Sequence, residues 1–317
     1  MELRIFAEPQ EGASYEQQLE IARAAEAHGF GAFFRSDHLL RIKPGSGEPG
    51  PTDSWVTLGA IARETSTIRL GTMVTSATFR LPGLLAVAVA QVDAMSGGRV
   101  EIGLGTGWYE AEHRAYGVPF PPFAERFERL EEQLQILTGL WSAPAGESYS
   151  FAGRHYTLEP GPALPKPAQR PHPPVIVGGL GPRRTPALAA RFAAEFNVPF
   201  AGVDVAAARV TGVRAACEAA GRDPDEIVCS HAITVCCGES EAELERRAAA
   251  IGRDLSDLRA NAAAGSPQEV AERLARYRDA GLSRSYLQLI DLDDLEHVAL
   301  IAAEVMPQLS ERSGRRY

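Results

Sequence analysis

The sequence predicts a closed (β/α)8 TIM barrel with insertions, and three observations carry that expectation. Short β-rich runs alternate with longer Ala-rich stretches of helical periodicity, eight runs in all. Strand and helix in strict alternation give a parallel sheet with right-handed crossovers. No Gly/Ser linker or break in composition divides the 317 residues, so one large barrel accounts for the length. A doubly wound open sheet is the other topology that the alternation allows.

The first run is LRIFAE (3–8), followed by a helix over 14–28 with Tyr15, Leu19, Ala22 and Ala25 near one face. Ser14 is placed to cap it, and Gly29 to end it in the left-handed position after the last turn. FGAFFRS (30–36), IRLGTMVTS (68–76) and RVEIGLGTG (99–107) are the second, third and fourth strands. VIVGG (175–179), FNVPF (196–200), IVCSHAITVCC (227–237) and SYLQLI (285–290) complete the eight. The intervening helices are expected over 54–66, 83–95, 123–142, 184–194, 204–220 and 267–280, with a last one over 293–312. DAGL at 279–282 repeats the AHGF of 27–30: helix, glycine cap, strand.

Three segments exceed plain connections. Residues 37–53, DHLLRIKPGSGEPGPTD, follow strand 2 and are rich in Gly and Pro. Residues 143–174 contain SFAGRHYTLEP, which reads as a small hairpin, and the Pro-rich return PKPAQRPHPP. Residues 238–266 are Ala- and charge-rich and read as extra helix after strand 7. Long ordered loops in a compact domain are usually lids or binding segments. The chain is read as a single domain, 1–317, carrying these insertions.

Composition narrows the function. The net charge of −9 and pI near 5.4 leave no basic surface for nucleic acid or an anionic membrane. Hydrophobic residues at 45% and charged ones at 23% are ordinary for an enzyme with a large core. No uninterrupted apolar run reads as transmembrane, and MELRIFAEPQ lacks the basic start and apolar run of a signal peptide, so a cytoplasmic protein is expected. Cys217, Cys229, Cys236 and Cys237 form no C-x-x-C pair and are read as reduced structural residues. IDLDDLEH (290–297) shows no H-x-H or comparable ligand pattern, so its acids are assigned to the dipole of the last helix and no metal is expected.

The active face of a parallel barrel lies at the C-terminal ends of its strands. FFRSDH puts Asp37 and His38 there; a histidine oriented by a neighbour exchanges a proton near neutral pH. The alternative is a turn cap by Asp37 and an incidental His38. Strand 3 ends TMVTSATFRLPG, where Thr72, Thr75, Ser76 and Thr78 replace aliphatic residues and a bulge against a planar ligand would suit them. In GLGTGWYEAEH the alternating Gly103, Gly105 and Gly107 leave backbone open to a ligand; Glu110, Glu112 and His113 are candidate proton-transfer groups, although charged residues that open an excursion are more often solvated, and that reading is preferred. VIVGGLGPRRT sets Gly178, Gly179 and Gly181 before a helix N-terminus, with Arg183 and Arg184 beside them, which is the chemistry of a phosphate cradle.

Taken in order, FRSDH, LGTMVTSATFRLP, GRVEIGLGTGW, PFAERFERLEE, FAGRHYTL, PPVIVGG and AERLARYRDAGL resemble the bacterial luciferase-like monooxygenase family over nearly the whole chain. SDH, TSATFR and GLGTG are similar to the branch that uses coenzyme F420, a 5-deazaflavin. The resemblance implies an oxidoreductase that moves a hydride between F420 and a small organic substrate, with FMN and a monooxygenase reaction as the alternative. It implies His38 and Asp37 facing the tricyclic ring, a cis bond at Met73–Val74 in a strand-3 bulge behind it, and Ser76 beside that bulge. Val177, Gly178, Gly179 and Gly181 match the phosphate-binding segment, and Thr106 and Gly107 the contacts to ring and tail. Arg41, Lys43, Arg183 and Arg184 are the basic groups available to an acidic tail. Trp108 stands where sugar-phosphate dehydrogenases of the family carry a glutamate directly after GTG; with Tyr109 it forms a candidate aromatic wall for the substrate. A homodimer is also implied. A barrel that binds a flavin without catalysis is the reading from another class.

Overall fold

Eight parallel strands close on themselves in a computed structural model that describes residues 1–310. They are β1 (Glu2–Ala7), β2 (Ala32–Arg35), β3 (Arg69–Ser76), β4 (Val100–Gly105), β5 (Val175–Gly178), β6 (Glu195–Pro199), β7 (Val228–Cys237) and β8 (Arg284–Leu289). Each pairs with its chain neighbour, and β8 returns to β1 with Glu2 opposite Arg284 and Ala7 opposite Leu289. The closed barrel, not the open sheet, is the topology.

Helices surround it: α1 (Tyr15–Ala27), α2 (Ser54–Glu64), α3 (Pro82–Ser96), α4 (Glu110–Ala115), α5 (Phe123–Ser142), α6 (Arg184–Phe192), α7 (Val203–Ala219), α8 (Glu241–Ala250), α9 (Leu255–Asn261), α10 (Pro267–Asp279) and α11 (Leu295–Leu300). Local chemistry sets their ends. Ser14 accepts from the Gln17 amide while Gln17 reaches back to the Ser14 amide, a reciprocal cap that starts α1. The last helix continues from α11 through a π-turn at Ile301–Val305 to Ser310, so positions 311 and 312 of the expected helix lie outside the described residues. The 143–174 segment holds the expected hairpin, Ser148–Ala152 against Thr157–Pro162. The 238–266 segment holds α8, α9 and a short strand, Ala263–Gly265, that pairs with the end of β7. Among the described residues no helix is long and apolar enough to cross a membrane.

Alternation along each strand divides the core in two. Outward residues such as Ile5, Phe33, Leu70, Ile102, Val177 and Phe196 pack under the helices. Inward, Phe6, Phe34, Met73, Ile176, Ala232 and Tyr286 fill the middle of the barrel. Below them the N-terminal end is plugged by ions: Arg4 meets Glu101 at 2.6 Å and Glu2 at 2.8 Å, and Arg284 meets Glu195 at 2.6 Å and Glu2 at 2.7 Å. Burial alone would raise the Glu101 carboxyl, but Arg4 and then Arg69 hold it below the usual carboxylate range. Ligands therefore enter from the C-terminal mouth.

Candidate active site

The four polar residues of FFRSDH take four separate tasks at the rim of the mouth. Arg35 points outward and donates to Gln18 at 3.0 Å and to the Thr52 hydroxyl at 2.6 Å. Ser36 points inward and donates to Gln10 at 2.5 Å. Asp37 accepts from Thr75 Oγ1 at 2.9 Å and from Arg80 Nη1 at 2.6 Å. His38 turns to Glu112, whose carboxylate oxygens lie 3.0 and 3.1 Å from Nδ1.

Two sequence expectations are corrected here. Asp37, expected to face the ring beside His38, is taken up by Thr75 and Arg80. It is buried in an ion pair with Arg80, and Arg80 also grips Asp53 at 2.7 Å, the residue that caps α2 through the Trp55 and Val56 amides. One guanidinium thus fastens both ends of the 37–53 segment. The neighbour that orients His38 is Glu112, which is not solvated: it is 2% exposed and also accepts from the Leu39 amide at 2.9 Å. Of the three charges in WYEAEH, only Glu110 is exposed. The short helix α4 turns Glu112 and His113 inward, and so brief a helix leaves little periodic signal.

The Glu112 contact decides the protonation of His38. Burial alone would lower the imidazole pKa; the hydrogen bond and charge of Glu112 outweigh it and leave the pKa raised. Glu112 engages Nδ1, so the Nε2 edge is the one left for a reacting group. Trp108 and Tyr109 stack on each other with centroids 5.2 Å apart, and both meet His38 edge-on, at 5.5 and 6.1 Å. Tyr109 donates to the Arg41 carbonyl at 3.0 Å, while Trp108 remains 63% exposed and open to a ligand.

The floor of the mouth is the strand-3 bulge. Register against β4 shifts between Thr72 and Thr75, and the Met73–Val74 bond is cis. This corrects the reading of Gly103 and Gly105 as open backbone. A Cβ at Gly103 would collide with the Thr72 carbonyl and stand 2.7 Å from Val74 Cγ1; one at Gly105 would stand 2.8 Å from Val74 Cγ2. The glycines make room for Val74 from the neighbouring strand, not for a ligand. Ser76 shares a 2.6 Å hydrogen bond with Thr78, which shares another of 2.6 Å with His113 Nε2. Gly107, at φ +75°, gives its carbonyl to Arg126 at 2.6 Å.

Above β4 and β5 lies a cavity of about 470 Å³ lined by Thr106, Gly178, Gly179, Gly181, Arg183 and Arg184, among others. Val177 does not reach it: the residue lies in the sheet between Leu104 and Phe196 with its side chain in the outer core. The Gly179 amide is also committed, to the Asn197 carbonyl at 3.0 Å. An anion in this cavity would meet the turn that follows, 180–185, and the first amides of α6. Gly181 keeps the approach open, since a Cβ there would stand 3.0 Å from Thr185 Oγ1. A glycine turn, a helix N-terminus and two arginines fit a phosphate-bearing cofactor.

Sequence reading also missed a polar chain on the opposite side of the mouth. Thr234 donates to Gln288 at 2.5 Å, Gln288 to Glu8 at 2.8 Å, and Gln10 to the other Glu8 oxygen at 2.5 Å, ending at Ser36. Its members sit on β7, β8, the turn after β1 and the end of β2, so only barrel closure brings them together. The acids of 290–297 are structural. Asp294 caps α11 and pairs with Arg247 at 2.8 Å, and His297 Nε2 accepts from the Cys237 amide at 2.9 Å.

Comparison with known proteins gives a consistent result. The luciferase-like monooxygenase family model matches residues 1–257. An F420-dependent glucose-6-phosphate dehydrogenase of Nakamurella multipartita is 35% identical over 178 residues, 56% of this chain and 50% of that one. An FMNH2-dependent dimethylsulfone monooxygenase of Pseudomonas putida is 30% identical over 160 residues, 50% of this chain and 42% of that one. The matched region thus spans about half the length of these curated relatives. In fold, the chain superposes on an F420-dependent secondary alcohol dehydrogenase bound to an F420–acetone adduct with a TM-score of 0.84, at 19% identity, covering 97% of this chain and 98% of that one.

Proposed function

The chain belongs to the luciferase-like monooxygenase family, and from that premise we propose that it is an F420-dependent oxidoreductase that moves a hydride between the deazaflavin and a small organic substrate. The observation that carries this reading is His38, held through Nδ1 by the buried Glu112 at a rim whose far side is a glycine cradle. When bound, a 5-deazaflavin supplies hydride chemistry at carbon and little reactivity toward oxygen.

The chain's own residues supply position and proton handling. Thr106, Gly181, Arg183 and Arg184 would hold the anionic arm. The Met73–Val74 bulge, with Phe6 and Ile176 beneath it, is an apolar floor that keeps water from one face of a planar ring. His38, its Nδ1 engaged, holds a proton at Nε2 for exchange with the substrate. Relatives named for glucose-6-phosphate suggest a sugar phosphate, but Trp108 occupies the place of the acid that branch carries after GTG. The carboxylate at this site comes instead from Glu112, one helical turn on, and serves His38.

The second reading is an FMN-dependent monooxygenase, favoured by the division of the basic residues. Arg183 and Arg184 line the cradle, but Arg41 and Lys43 line a different cavity, so the four do not form one track for an acidic tail. Titration with F420 and with FMN, followed by fluorescence quenching and the visible spectrum, separates the two. Binding of FMN with none of F420 would reverse the assignment. A homodimer is proposed on the apolar, exposed Val56, Leu81 and Leu84 of the α2–α3 face, and sedimentation equilibrium checks it.

A further inference from the structure

Phe200, the residue after β6, breaks the alternation of its strand. Phe196 and Val198 point into the outer core, while Glu195 joins the ionic plug inside the barrel. That period sends Pro199 inward and would send residue 200 outward, under the helices. The chain turns instead. Among the described residues Phe200 is the one non-glycine position with a positive φ, +47°. Its amide donates to the Ala232 carbonyl at 2.9 Å, and its ring comes to rest 6.4 Å from that of Phe6, a residue of the inner core.

β6 and β1 are not neighbours, since β7 and β8 stand between them. A ring rooted on β6 that meets Phe6 therefore leans across the top of the barrel, toward β1 and the adjoining β2 that carries His38 beyond its end. The ring is not packed away there: Phe200 remains 53% exposed. A bulky side chain in the left-handed region is strained, and glycine or asparagine would take the turn at less cost. Apolar area that folding could have hidden is left in water as well. Strain together with an unburied ring at a mouth points to a group whose partner is a ligand.

Trp108, at the end of β4, is likewise exposed and meets His38 edge-on, so it borders the same mouth. The polar side chains nearby are committed to one another: Glu8 to Gln10 and Gln288, Asn197 to Ser230, and Asp37 to Arg80. That leaves His38, whose side chain is 19% exposed, to present Nε2 to a ligand. Two open aromatic rings and one hydrogen-bond donor are complementary to a flat apolar molecule with a single acceptor.

We propose that Phe200 determines substrate specificity: with Trp108 it supplies the aromatic walls for a planar aromatic substrate, whose carbonyl or hydroxyl oxygen meets His38 Nε2. The proposal names the substrate class of the oxidoreductase reading and rests on that reading for the chemistry that follows binding.

Calorimetric titration of the purified protein, alone and saturated with F420, with acetophenone and with cyclohexyl methyl ketone tests it. The two probes share the ketone and the carbon skeleton, and only the first is flat and aromatic. Acetophenone is expected to bind more tightly by about fivefold or more. Phe200→Leu, which keeps an apolar side chain, should bring the ratio near unity, and Phe200→Tyr should restore most of it. Phe200→Gly should lose the ratio too, yet unfold at or above the wild-type temperature, because glycine takes the left-handed turn without strain. Equal affinity for the two probes, binding of neither, or a Phe200→Leu variant with the wild-type ratio overturns the proposal. So does a Phe200→Gly variant that unfolds at lower temperature and keeps the ratio, the mark of a ring retained for packing alone. A protein that prefers acetophenone through Phe200 but takes no F420 supports the aromatic walls and removes the cofactor reading. One that takes F420 and shows no preference between the probes removes the walls and leaves the cofactor reading standing.

Discussion

Glu112 faces His38 Nδ1 with both carboxylate oxygens, at 3.0 and 3.1 Å, across 74 residues of sequence. The pair joins the end of β2 to the excursion after β4, and it fixes which edge of the imidazole is free. Two carboxylate oxygens on one ring nitrogen favour the charged ring. Glu112 is thus the largest of the charges that favour a proton on His38, with Glu8 and Asp37 adding to it.

Glu112→Gln keeps the size and removes the charge. Burial is then opposed only by the weaker pulls of Glu8 and Asp37, so the imidazole should titrate at lower pH than in the wild type, as followed by NMR. In the direction of substrate reduction the alkaline limb of the kcat profile should move toward acid by the same amount. An unmoved titration removes Glu112 from this role.

His38→Ala should retain cofactor affinity while turnover falls by about a hundredfold or more, the usual contribution of a positioned acid–base group. Fluorescence titration and steady-state turnover measure the two separately. Wild-type turnover in this variant would take His38 out of the mechanism.

Arg80→Met should destabilise the fold by on the order of 3–5 kcal/mol, because the buried Asp37 loses its ion partner. Urea denaturation measures the loss, and limited proteolysis should find the 41–50 stretch more readily cut. Asp37→Asn should likewise weaken the fold and move the pH limb of kcat toward acid by less than Glu112→Gln does, since the Asp37 charge is a smaller pull on His38 than Glu112 is. A shift as large as that of Glu112→Gln would overturn this ranking.

Gly103→Ala should cost on the order of 1–3 kcal/mol and weaken cofactor binding, since the new methyl meets the Thr72 carbonyl and Val74. Gly83→Ala, in α3 with nothing within 4 Å of the added carbon, serves as the control and should be neutral or slightly stabilising. Comparing the two thermal midpoints isolates packing at the bulge from helix propensity.

The histidines set opposite pH limits. Burial lowers His231 and His297 to about 3, with the charge of Arg247 adding to the effect at His297. The unfolded chain therefore takes up protons first, and stability should fall as pH drops from about 6.5 toward 3. His38 has the opposite sign: its contribution is full below about 6.5 and is lost as pH rises through its raised value. Denaturation midpoints across this range should show a His231→Phe variant losing less stability in acid than the wild type.

Most of the architecture was legible because it is local. Ser14 with Gln17, the glycine at 29 and alternation along LRIFAE are each visible within a few residues, and all eight strands fall where such signals put them. The site was legible only in part. His38 and the glycines at 178, 179 and 181 announce themselves by type and position. Their partners do not: Glu112 for His38, Arg80 for Asp37, Gln288 for Glu8 and Val74 over Gly103 all depend on distant segments meeting when the barrel closes. A carboxylate in WYEAEH has the same sequence signature whether it meets solvent or an imidazole.

The double grip of Arg80 on Asp37 and Asp53 has an engineering consequence. The two roots of the strand-2 excursion are clamped together whatever chain runs between them. A replacement of different length can therefore be grafted between Arg41 and Thr52, with His38, Leu39 and Arg41 kept, while the rim beneath keeps its shape. The barrel offers a socket in which the outer loop is exchangeable, so ligand preference can be redesigned there without rebuilding the reaction centre.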